Sequence, residues 1–251
     1  MSGVGQSPLA GSKAVVTGGS SGIGAAIVGR LTDAGAHGFV LDLRPVSPGV
    51  LPSGWNALAV DVGDDGALRA AFERVGGGID VLVAAAGIVP PWRRLGALDL
   101  EEWDEVFRVN ARGVAATLHH ALPALADGAA VVVIASLNAW RGDANLPTYS
   151  ASKHAVLGLV RSAALDLGRR GIRVNALGPG PIATAALLDR IDRREAEGGL
   201  PAREALGQAA ARTALGRIAS IEEVADAALF LATGASSGVT GHLLPVDAGL
   251  L

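Results

Sequence analysis

The sequence predicts an α/β fold: a single doubly wound parallel sheet with helices on both of its faces. Short apolar segments typical of strands alternate with longer segments of helical periodicity, and this order favours parallel strands joined by right-handed crossovers. Several strand segments are apolar without alternation, as expected where helices cover both faces of a sheet. The first strand also runs directly into a glycine-rich turn that opens a helix.

Seven strands and five helices are predicted along the chain. The strands are expected at residues 13–17, 38–42, 57–60, 79–85, 129–136, 172–176 and 242–246. The helices are expected at residues 23–34, 64–75, 99 to about 126, 148–170 and 221–232. Gly35 is suited to end the first helix, and Asp99 followed by Glu102 is typical of a capping box. Residues 44–56 are rich in Pro, Gly and Ser and are predicted to form a loop.

The 251 residues are expected to form one domain. Half of them, 50%, are hydrophobic, which is enough to bury a sizeable core and excludes general disorder. No linker or internal repeat interrupts the alternation of strands and helices. Residues 179–217 are predicted to be irregular and then rich in Ala, Arg and Glu. Within them, residues 185–214 or so are expected to form a mobile lid whose first turn closes over a substrate and whose remainder faces solvent.

Charge and residue usage exclude several kinds of site. The 21 basic and 24 acidic residues are interspersed and give a net charge of −3, so neither nucleic acid nor a membrane is expected as a partner. With no cysteine, the chain has no disulfide, Cys-ligated metal or thiol nucleophile. The five histidines lack metal-binding spacing, so no metal is expected. Without a signal-like N-terminus or a long apolar run, a soluble, cytoplasmic protein is expected.

A glycine-rich turn follows the first predicted strand, with the sequence TGGSSGIG at residues 17–24. Glycines permit a tight turn and a close backbone approach, and the following helix directs free N–H groups and its positive dipole end at the same point. This context favours a pyrophosphate site over a simple strand–helix turn. The residues expected to bind the dinucleotide there are Gly18, Ser20, Ser21, Gly22, Ile23 and Gly24.

A carboxylate ends the second strand. Asp42 lies 18 residues after Gly24, near the roughly 20 expected for a group that accepts hydrogen bonds from an adenosine ribose. Because a carboxylate repels a 2′-phosphate, NAD is predicted in preference to NADP, although Arg44 could soften that repulsion. Asp61 and Val62 follow the third strand, where they either lie beside the adenine or belong to an ordinary loop.

Tyr149 and Lys153 are the candidate catalytic pair. Their spacing places both on one helix face, where the ammonium favours the phenolate and can lower the tyrosine pKa by about 1–3 units. Tyr149, the only tyrosine, is then suited to general acid/base catalysis on an alcohol or carbonyl oxygen. Ser136 ends the most apolar strand, where its hydroxyl can donate to the same oxygen. Asn110 lies inside the long helix, and with Gly113 nearby it predicts a local kink.

Together these motifs resemble those of the short-chain dehydrogenase/reductase family over nearly the whole chain. The resemblance rests on residues 17–24, the Asn110 helix, Ser136, YSASK at 149–153, Asn175, PGPIAT at 179–184 and VDAG at 246–249. It implies a Rossmann-type fold, a nicotinamide dinucleotide cofactor and a homotetramer. The helices at 100–126 and 148–170 carry enough Ala and Leu for a second apolar stripe, which also favours an oligomer.

The resemblance also assigns roles to individual residues. Tyr149 is the acid/base and Ser136 polarises the substrate oxygen. Lys153 lowers the tyrosine pKa and holds the nicotinamide ribose, while Asn110 anchors a proton-relay water. Pro179, Gly180 and Ile182 are expected to flank the nicotinamide, and Thr184 its carboxamide. Ala86 and Gly87 are also expected to bind the cofactor. Ala85 stands where the family usually has Asn, and the missing amide predicts a modest local cost.

The predicted function is hydride transfer between NAD and a secondary alcohol or ketone, with a compact, largely apolar substrate such as a cyclic alcohol or a dihydrodiol. Two alternatives stay open: a 3-oxoacyl thioester reductase of the same family, and a dinucleotide-binding regulatory protein without catalysis. The residues expected to line the substrate pocket are Asn138, Trp140, Trp92 and Leu187, although the tryptophans could instead cover a hydrophobic edge. Arg93, Arg94 and Arg141 either meet an anionic substrate or lie solvated in loops.

Overall fold

The computed structural model describes residues 7–44 and 49–250. Their strands are β1 (Lys13–Thr17), β2 (His37–Asp42), β3 (Trp55–Ala59), β4 (Ile79–Ala84), β5 (Leu125–Ile134), β6 (Arg173–Pro179) and β7 (Leu243–Val246). All seven pair in parallel within one sheet, in the order β3-β2-β1-β4-β5-β6-β7. The predicted doubly wound parallel sheet is therefore confirmed.

The described part of the chain contains eight α-helices. They are α1 (Gly22–Asp33), α2 (Asp65–Val75), α3 (Leu100–Phe107), α4 (Gly113–Ala121), α5 (Pro147–Leu167), α6 (Ala185–Ala196), α7 (Ala202–Ala211) and α8 (Ile221–Ala232). The helices α1 and α8 pack together, and α4 packs against both α2 and α5. These two groups form the two layers that enclose the sheet.

The core is divided by the sheet into two apolar layers. Residues of β1 alternate between them because successive side chains of a strand point to opposite faces. Val15 packs with residues of α2, α4 and α5, whereas Ala14 and Val16 pack with residues of α1 and α8. None of the three has exposed surface. Burial on both faces explains why the strands are apolar without alternation.

The strand order places a crevice beside β1. The chain continues from β1 to β2 and β3 on one side and then crosses back to β4 on the other. The connections after β1 and after β4 therefore leave in opposite directions and open a gap at the carboxyl edge of the sheet. Ligands of doubly wound sheets bind at such a point. The turn at residues 17–24 lies at this edge.

The predicted irregularity at Asn110 is a π-helical turn, Arg108–Arg112, between α3 and α4. The predicted end of this helix near residue 126 is wrong, because α4 ends at Ala121 and β5 begins at Leu125. Pro123 has no N–H with which to continue the helix. The pairing of Leu125 with Ile79 then starts the strand four residues before the predicted 129.

The segment at residues 179–217 is more regular than the sequence indicated, since it contains α6 and α7. Thr184 caps α6, where its side chain accepts a hydrogen bond from the backbone N of Leu187 at 3.3 Å. Only Ile191 of α6 is buried, and no residue of α7 is. The segment therefore makes few core contacts, and its mobility stays a prediction.

Other boundaries differ by a few residues. The strand β3 begins at Trp55 instead of 57 because Trp55 pairs with Gly38. The strand β6 continues to Pro179 instead of 176 because β7 pairs with it there. Residues 45–48 of the predicted loop lie outside the described residues. No helix within the described ranges combines the length and the apolar character that a bilayer span requires.

Candidate active site

A cavity of about 520 Å³ opens at the carboxyl edge of the sheet, at the ends of β4, β5 and β6. Three of the four candidate catalytic side chains, Ser136, Tyr149 and Lys153, line it. Asn110 does not line the cavity and is fully buried. It lies directly behind Gly87, which lines the cavity, because a Cβ on Gly87 would lie 3.2 Å from the Asn110 Oδ1. The structure thus brings together residues that lie in three separate parts of the sequence.

Ser136 and Tyr149 reach the cavity from neighbouring elements. Pro147 begins α5, where its missing N–H removes no helical hydrogen bond, and Tyr149 follows in the first turn. Ser136 lies two residues after β5, and its Oγ accepts a hydrogen bond from the backbone N of Asn138 at 3.1 Å. Burial raises the pKa of Tyr149, while a hydrogen bond with Ser136 and the charge of Arg190 act in the opposite direction. The phenol is therefore protonated at neutral pH.

Lys153 lies one helical turn after Tyr149 and is only 4% exposed. Its Nζ donates to the backbone O of Ile134 at 3.0 Å and lies 5.6 Å from the centre of the Tyr149 ring. Burial lowers the pKa of the Lys153 ammonium to about 8. The predicted lowering of the tyrosine pKa by this ammonium does not appear in the structure, because burial of the phenol dominates and the cation acting on it is Arg190.

Asn110 uses both ends of its side-chain amide on the loop that follows β4. Its Oδ1 accepts from the backbone N of Ile88, and its Nδ2 donates to the backbone O of Ile88, each at 2.8 Å. Nδ2 also lies 3.3 Å from Oγ of Ser152 on α5. The π-helical turn thus carries a side chain that ties the β4 loop to the catalytic helix.

The glycine-rich turn has no room for a side chain at two positions. A Cβ on Gly18, whose φ is +67°, would lie 2.7 Å from the Cα of Ala86. A Cβ on Gly24 would lie 2.1 Å from the carbonyl O of Gly18. The turn is therefore packed backbone against backbone, with Gly22 at a φ of +52° completing it.

Polar groups of the same turn are left without partners. Ser21 is the N-cap of α1 but makes no side-chain hydrogen bond to the helix. The Oγ of Ser20 is buried and has no hydrogen-bond partner among the described residues. Ile23 lines the cavity. A buried hydroxyl and a helix N-terminus fit the pyrophosphate of a dinucleotide, so this observation supports the predicted cofactor site.

Two carboxylates lie at the ends of β2 and β3. Asp42 accepts hydrogen bonds from the backbone N of Ser20 at 3.1 Å and of Arg44 at 3.0 Å, so the glycine-rich turn fixes its position. Asp61 accepts from the backbone N of Gly63 at 2.7 Å and from Arg108 Nη1 at 2.9 Å. The side chain of Val62 is buried and would lie 2.8 Å from a Cβ on Gly113.

The end of β4 is held by Thr17 of β1. Its Oγ1 accepts hydrogen bonds from the backbone N of Ala85 at 3.2 Å and of Ala86 at 3.3 Å. This hydroxyl therefore fixes the segment in which the family's usual Asn is absent. Gly87 follows, and a Cβ there would lie 3.6 Å from Nζ of Lys153.

The segment after β6 forms another wall of the cavity, which Pro179, Gly180, Ile182 and Thr184 line. Their contact with the nicotinamide stays a prediction. The backbone N of Gly180 donates to the O of Val246 at 3.0 Å, and a Cβ on Gly180 would lie 3.0 Å from Cβ of Asp247. The close approach of β7 therefore fixes the course of this segment.

Of the predicted substrate residues, Asn138, Trp92 and Leu187 line the cavity. Trp140 does not line it. It follows the short helical turn Leu137–Ala139 and is 56% exposed, so it covers no part of the cavity in this structure.

Sequence reasoning missed Arg190 and Arg212, which line the cavity together with Arg141. The lid beyond its first turn was expected to face solvent, but Arg190 is directed inward. Its position three residues after Leu187 and next to buried Ile191 was the available signal, since residues three apart share a helix face.

The chain is similar over almost its whole length to known proteins. A family model described as Enoyl-(Acyl carrier protein) reductase matches residues 18–251. A cis-4-hydroxycyclohexanecarboxylate dehydrogenase of Sinomonas cyclohexanicum is 40% identical over 247 residues, which cover 94% of this chain and 95% of the relative. A mitochondrial (−)-isopiperitenol/(−)-carveol dehydrogenase of Mentha piperita is 37% identical over 255 residues, which cover 96% and 94%.

Solved structures share the fold. The ligand-free aldohexose dehydrogenase of Thermoplasma acidophilum superposes with a TM-score of 0.86 at 31% identity, covering 98% of this chain and 96% of that one. Levodione reductase superposes with a TM-score of 0.85 at 28% identity, and the match covers 96% of this chain and 97% of the levodione reductase chain. The likeness therefore includes the lid and the last strand as well as the glycine-rich turn.

Proposed function

The chain belongs to the short-chain dehydrogenase/reductase family, and on that premise we propose that it interconverts a compact cyclic secondary alcohol and the corresponding ketone with NAD. The observation that carries the proposal is the convergence of Ser136 and Tyr149 on one cavity, beside a turn whose free polar groups suit a dinucleotide. A bound nicotinamide dinucleotide supplies or accepts the hydride. The side chains of this protein position the substrate and transfer the proton.

Tyr149 is the general acid/base. In ketone reduction its hydroxyl donates a proton to the carbonyl oxygen as negative charge develops there. The raised pKa of Tyr149 keeps that proton in place at neutral pH. Ser136 donates to the same oxygen, because its Oγ accepts from the backbone N of Asn138 and its hydroxyl hydrogen can turn from Tyr149 to a substrate oxygen that lies between them. Alcohol oxidation is the reverse: Tyr149 first releases its proton to solvent and then accepts the proton of the alcohol, so this direction is favoured at higher pH.

Lys153 and Asn110 are positioning residues. The Ile134 carbonyl fixes the Lys153 ammonium at the cavity wall, where it suits the hydroxyls of the nicotinamide ribose. Asn110 fixes the backbone of Ile88 by two hydrogen bonds, and thereby the loop that follows β4. The resemblance to the family also assigns Asn110 a relay water.

The cofactor is NAD in preference to NADP. The family implies a nicotinamide dinucleotide, and Asp42 is fixed by Ser20 at the end of β2, where the adenosine ribose is expected to lie. Its carboxylate repels a 2′-phosphate. The backbone N of Arg44 donates a hydrogen bond to Asp42, and the Arg44 side chain is exposed.

The proposed substrate class rests on the lining of the cavity. Apolar side chains of Val89, Leu137 and Leu187 and the Trp92 ring form much of the wall beyond the catalytic pair. Two relatives named above are dehydrogenases of cis-4-hydroxycyclohexanecarboxylate and of isopiperitenol or carveol. A ring of six carbons fits a cavity of about 520 Å³, which is within the usual range for small-molecule sites.

The deciding experiment is a panel of cyclohexanol, 4-hydroxycyclohexanecarboxylate, carveol and the matching ketones with NAD(H), followed at the nicotinamide absorbance. Turnover by the wild type is expected, and Tyr149→Phe is expected to lose about 10²–10⁴-fold in kcat while it still binds NADH. Retention of more than a tenth of the wild-type kcat by this variant would contradict the role of Tyr149.

Two other functions are tested by the same panel. The family model's description names an enoyl-(acyl carrier protein) reductase, so thioesters belong in the panel, and the 3-oxoacyl thioester tests the alternative that the sequence leaves open. Turnover of the thioester alone would replace the proposed substrate class. NADH binding without turnover of any compound would favour a regulatory binding protein, against which the intact set of four catalytic residues argues.

The protein is further proposed to be a homotetramer in the cytoplasm. Large apolar side chains are exposed on outward helix faces, with Leu165 of α5 86% and Phe230 of α8 39% exposed. The two side chains lie on opposite helix layers, and exposed apolar side chains of this kind are typical of contacts between subunits. Light scattering at micromolar concentration is expected to give four times the chain mass, and a monomer mass would contradict the tetramer.

A further inference from the structure

Arg190 is anchored at the cavity wall by two contacts. Its guanidinium carbon lies 4.0 Å from the centre of the Trp92 ring, a separation typical of cation–π stacking. Its Nη2 donates to the backbone O of Pro90 at 2.9 Å. Both contacts are to the loop that follows β4, so the guanidinium bridges from α6 to that loop and its plane is fixed.

Among the described residues, the remaining donors of this guanidinium lack an acceptor. Nε is buried and has no hydrogen-bond partner in the part of the chain that the structure describes. None of the ion pairs between described residues includes Arg190. Burial lowers the pKa of Arg190, but an arginine side chain stays charged. The charge of Asp143 acts on Arg190 without a hydrogen bond or ion pair between the described residues. A buried N–H without a partner is unfavourable, so the Nε edge of the guanidinium is suited to an anionic acceptor.

The rest of the cavity also favours an anion. Arg141 and Arg212 line it, whereas Asp143 is the only carboxylate among its described lining residues. Arg141 is held by the backbone O of Leu250 at 3.3 Å, so it too points along the wall. With Lys153, which lines the cavity as well, four cations and one carboxylate give it a net positive charge, which attracts and orients an anionic ligand.

We propose that Arg190, stacked on Trp92, binds a carboxylate of the substrate at the end opposite the reacting oxygen. The proposal rests on the proposed function, in which the alcohol or ketone oxygen lies between Ser136 and Tyr149. The planar guanidinium presents parallel N–H groups that match a carboxylate. The substrate class is therefore a cyclic hydroxy acid or oxo acid whose apolar ring lies against Leu187.

Arg190 also acts on the catalytic acid, because its positive charge opposes the burial that raises the pKa of Tyr149. A bound carboxylate neutralises that charge. The phenol of the substrate complex then keeps its proton at higher pH than in the free protein, which favours reduction of the oxo acid.

The test compares 4-hydroxycyclohexanecarboxylate with its neutral carboxamide, in which an uncharged NH2 donor replaces one carboxylate oxygen. The wild type is expected to have the higher kcat/KM for the acid. Arg190→Met is expected to lower kcat/KM for the acid by about 10- to 100-fold, mainly because KM rises. The kcat/KM for the amide is expected to change little. Arg190→Lys restores the charge without the planar pair of donors and is expected to recover part of the loss.

The matched control is Arg193→Met, which removes an arginine from the exposed face of the same helix. This variant is expected to have the wild-type kcat/KM for both the acid and the amide. NADH binding by fluorescence and the circular dichroism spectrum are expected to be the same for all variants, so that a fold defect is recognised.

A second measurement does not depend on turnover. Cyclohexanecarboxylate has no hydroxyl to oxidise, and calorimetry is expected to show that it binds the wild type and not Arg190→Met. If the acid binds in this Arg190-dependent way but no alcohol is turned over, the proposed function fails and the carboxylate site stands. If the wild type turns over cyclohexanol but treats acid and amide alike, or if cyclohexanecarboxylate does not bind, the carboxylate site is overturned and the oxidoreductase function stands.

Discussion

On one side, which we call the turn side (residues 17–24 and 85–87), the cavity is bounded by backbone. Neither Gly18 nor Gly24 has space for a Cβ, and Thr17 holds two consecutive amides of the β4 end. On the other, the lid side (residues 88–92 and α6), the boundary consists of side chains on a loop and a helix. Only Ile191 of α6 is buried, and Trp92 and Arg190 contact each other across the gap.

This difference separates two tasks. A backbone wall positions a cofactor in the same way whatever the substrate, but it tolerates almost no substitution, because a displaced backbone disturbs everything packed against it. A wall of side chains with few core contacts can be substituted without loss of the fold, and each substitution changes the shape or charge that the substrate meets. We therefore expect substitutions on the turn side to remove activity and those on the lid side to change specificity.

The largest effect is expected for Gly24→Ala, because its Cβ would lie 2.1 Å from the Gly18 carbonyl O. Overpacking of this kind costs about 1–3 kcal/mol or more, and relief requires the turn to move away from its ligand position. NADH affinity is expected to fall at least about tenfold with a lower melting temperature.

Gly29→Ala is the matched control on the same helix. No atom lies within 4 Å of a Cβ there, and alanine is favoured over glycine in a helix by about 1 kcal/mol. This variant is expected to bind NADH normally and to melt at the same or a higher temperature. Equal NADH binding by both variants would remove the distinction between the two sides.

The next effect concerns the edge of the turn side. Asp42→Asn keeps an acceptor for Ser20 but removes the charge, so the ratio of kcat/KM for NAD to that for NADP is expected to fall by about tenfold. Asp33→Asn, an exposed carboxylate at the end of α1, serves as control and is expected to leave the ratio unchanged. A wild type that prefers NADP would contradict the role of Asp42.

The next prediction concerns Lys153, whose titration is expected to change the free energy of unfolding with pH by less than the substitutions on the turn side change binding. Its pKa of about 8 in the folded protein is below the usual 10.5, so at pH 7 the ammonium is charged in both states and the burial penalty is present in full. Between these pKa values the folded chain releases a proton that the unfolded chain retains, and stability rises with pH. From pH 7 to pH 9 this contributes about 1 kcal/mol.

Urea unfolding at the two pH values measures this contribution. The free energy of unfolding of the wild type is expected to rise more between pH 7 and pH 9 than that of Lys153→Met, which cannot titrate there. An equal rise in the two proteins would show that Lys153 keeps its proton and that its pKa is not lowered by burial.

The smallest of these effects is expected for Leu187 on the lid side. Leu187→Ala shortens a side chain of the cavity wall and is expected to raise KM a few-fold for cyclohexanol while NADH affinity stays unchanged. Trp140→Ala is the comparison, because Trp140 is exposed and does not line the cavity, and no change is expected. A larger effect from Trp140 would show that the lid side extends over it when substrate binds.

The two sides also differ in how well the sequence predicts them. The turn side follows from local signals, since glycines, a strand and a helix start adjoin one another in residues 13–24 and the first strand is predicted with its observed bounds. The catalytic residues Ser136, Tyr149 and Lys153 are likewise found from strand ends and helical spacing. Each of these signals lies within a few residues of the chain.

The lid side depends on contacts between distant segments. Arg190 belongs to a charged stretch that local reasoning places in solvent, and only its contacts with Trp92 and Pro90 direct it inward. The early start of β5 depends on the pairing of Leu125 with Ile79, which no local pattern indicates. Trp140 shows the reverse error, because an aromatic side chain near a strand end was assigned to the pocket and lies exposed.

The π-helical turn at Arg108–Arg112 sets a limit on chain length. Such a turn holds one residue more than an α-helical turn, so deletion of Ala111 would let α3 and α4 join as one regular helix. The side chains before and after the deletion would then rotate by about 100° relative to each other. Either Asn110 would leave the Ile88 backbone, or Val114 would leave the core. Insertions and deletions among descendants of this chain are therefore expected to avoid this turn, even where single substitutions in it are accepted.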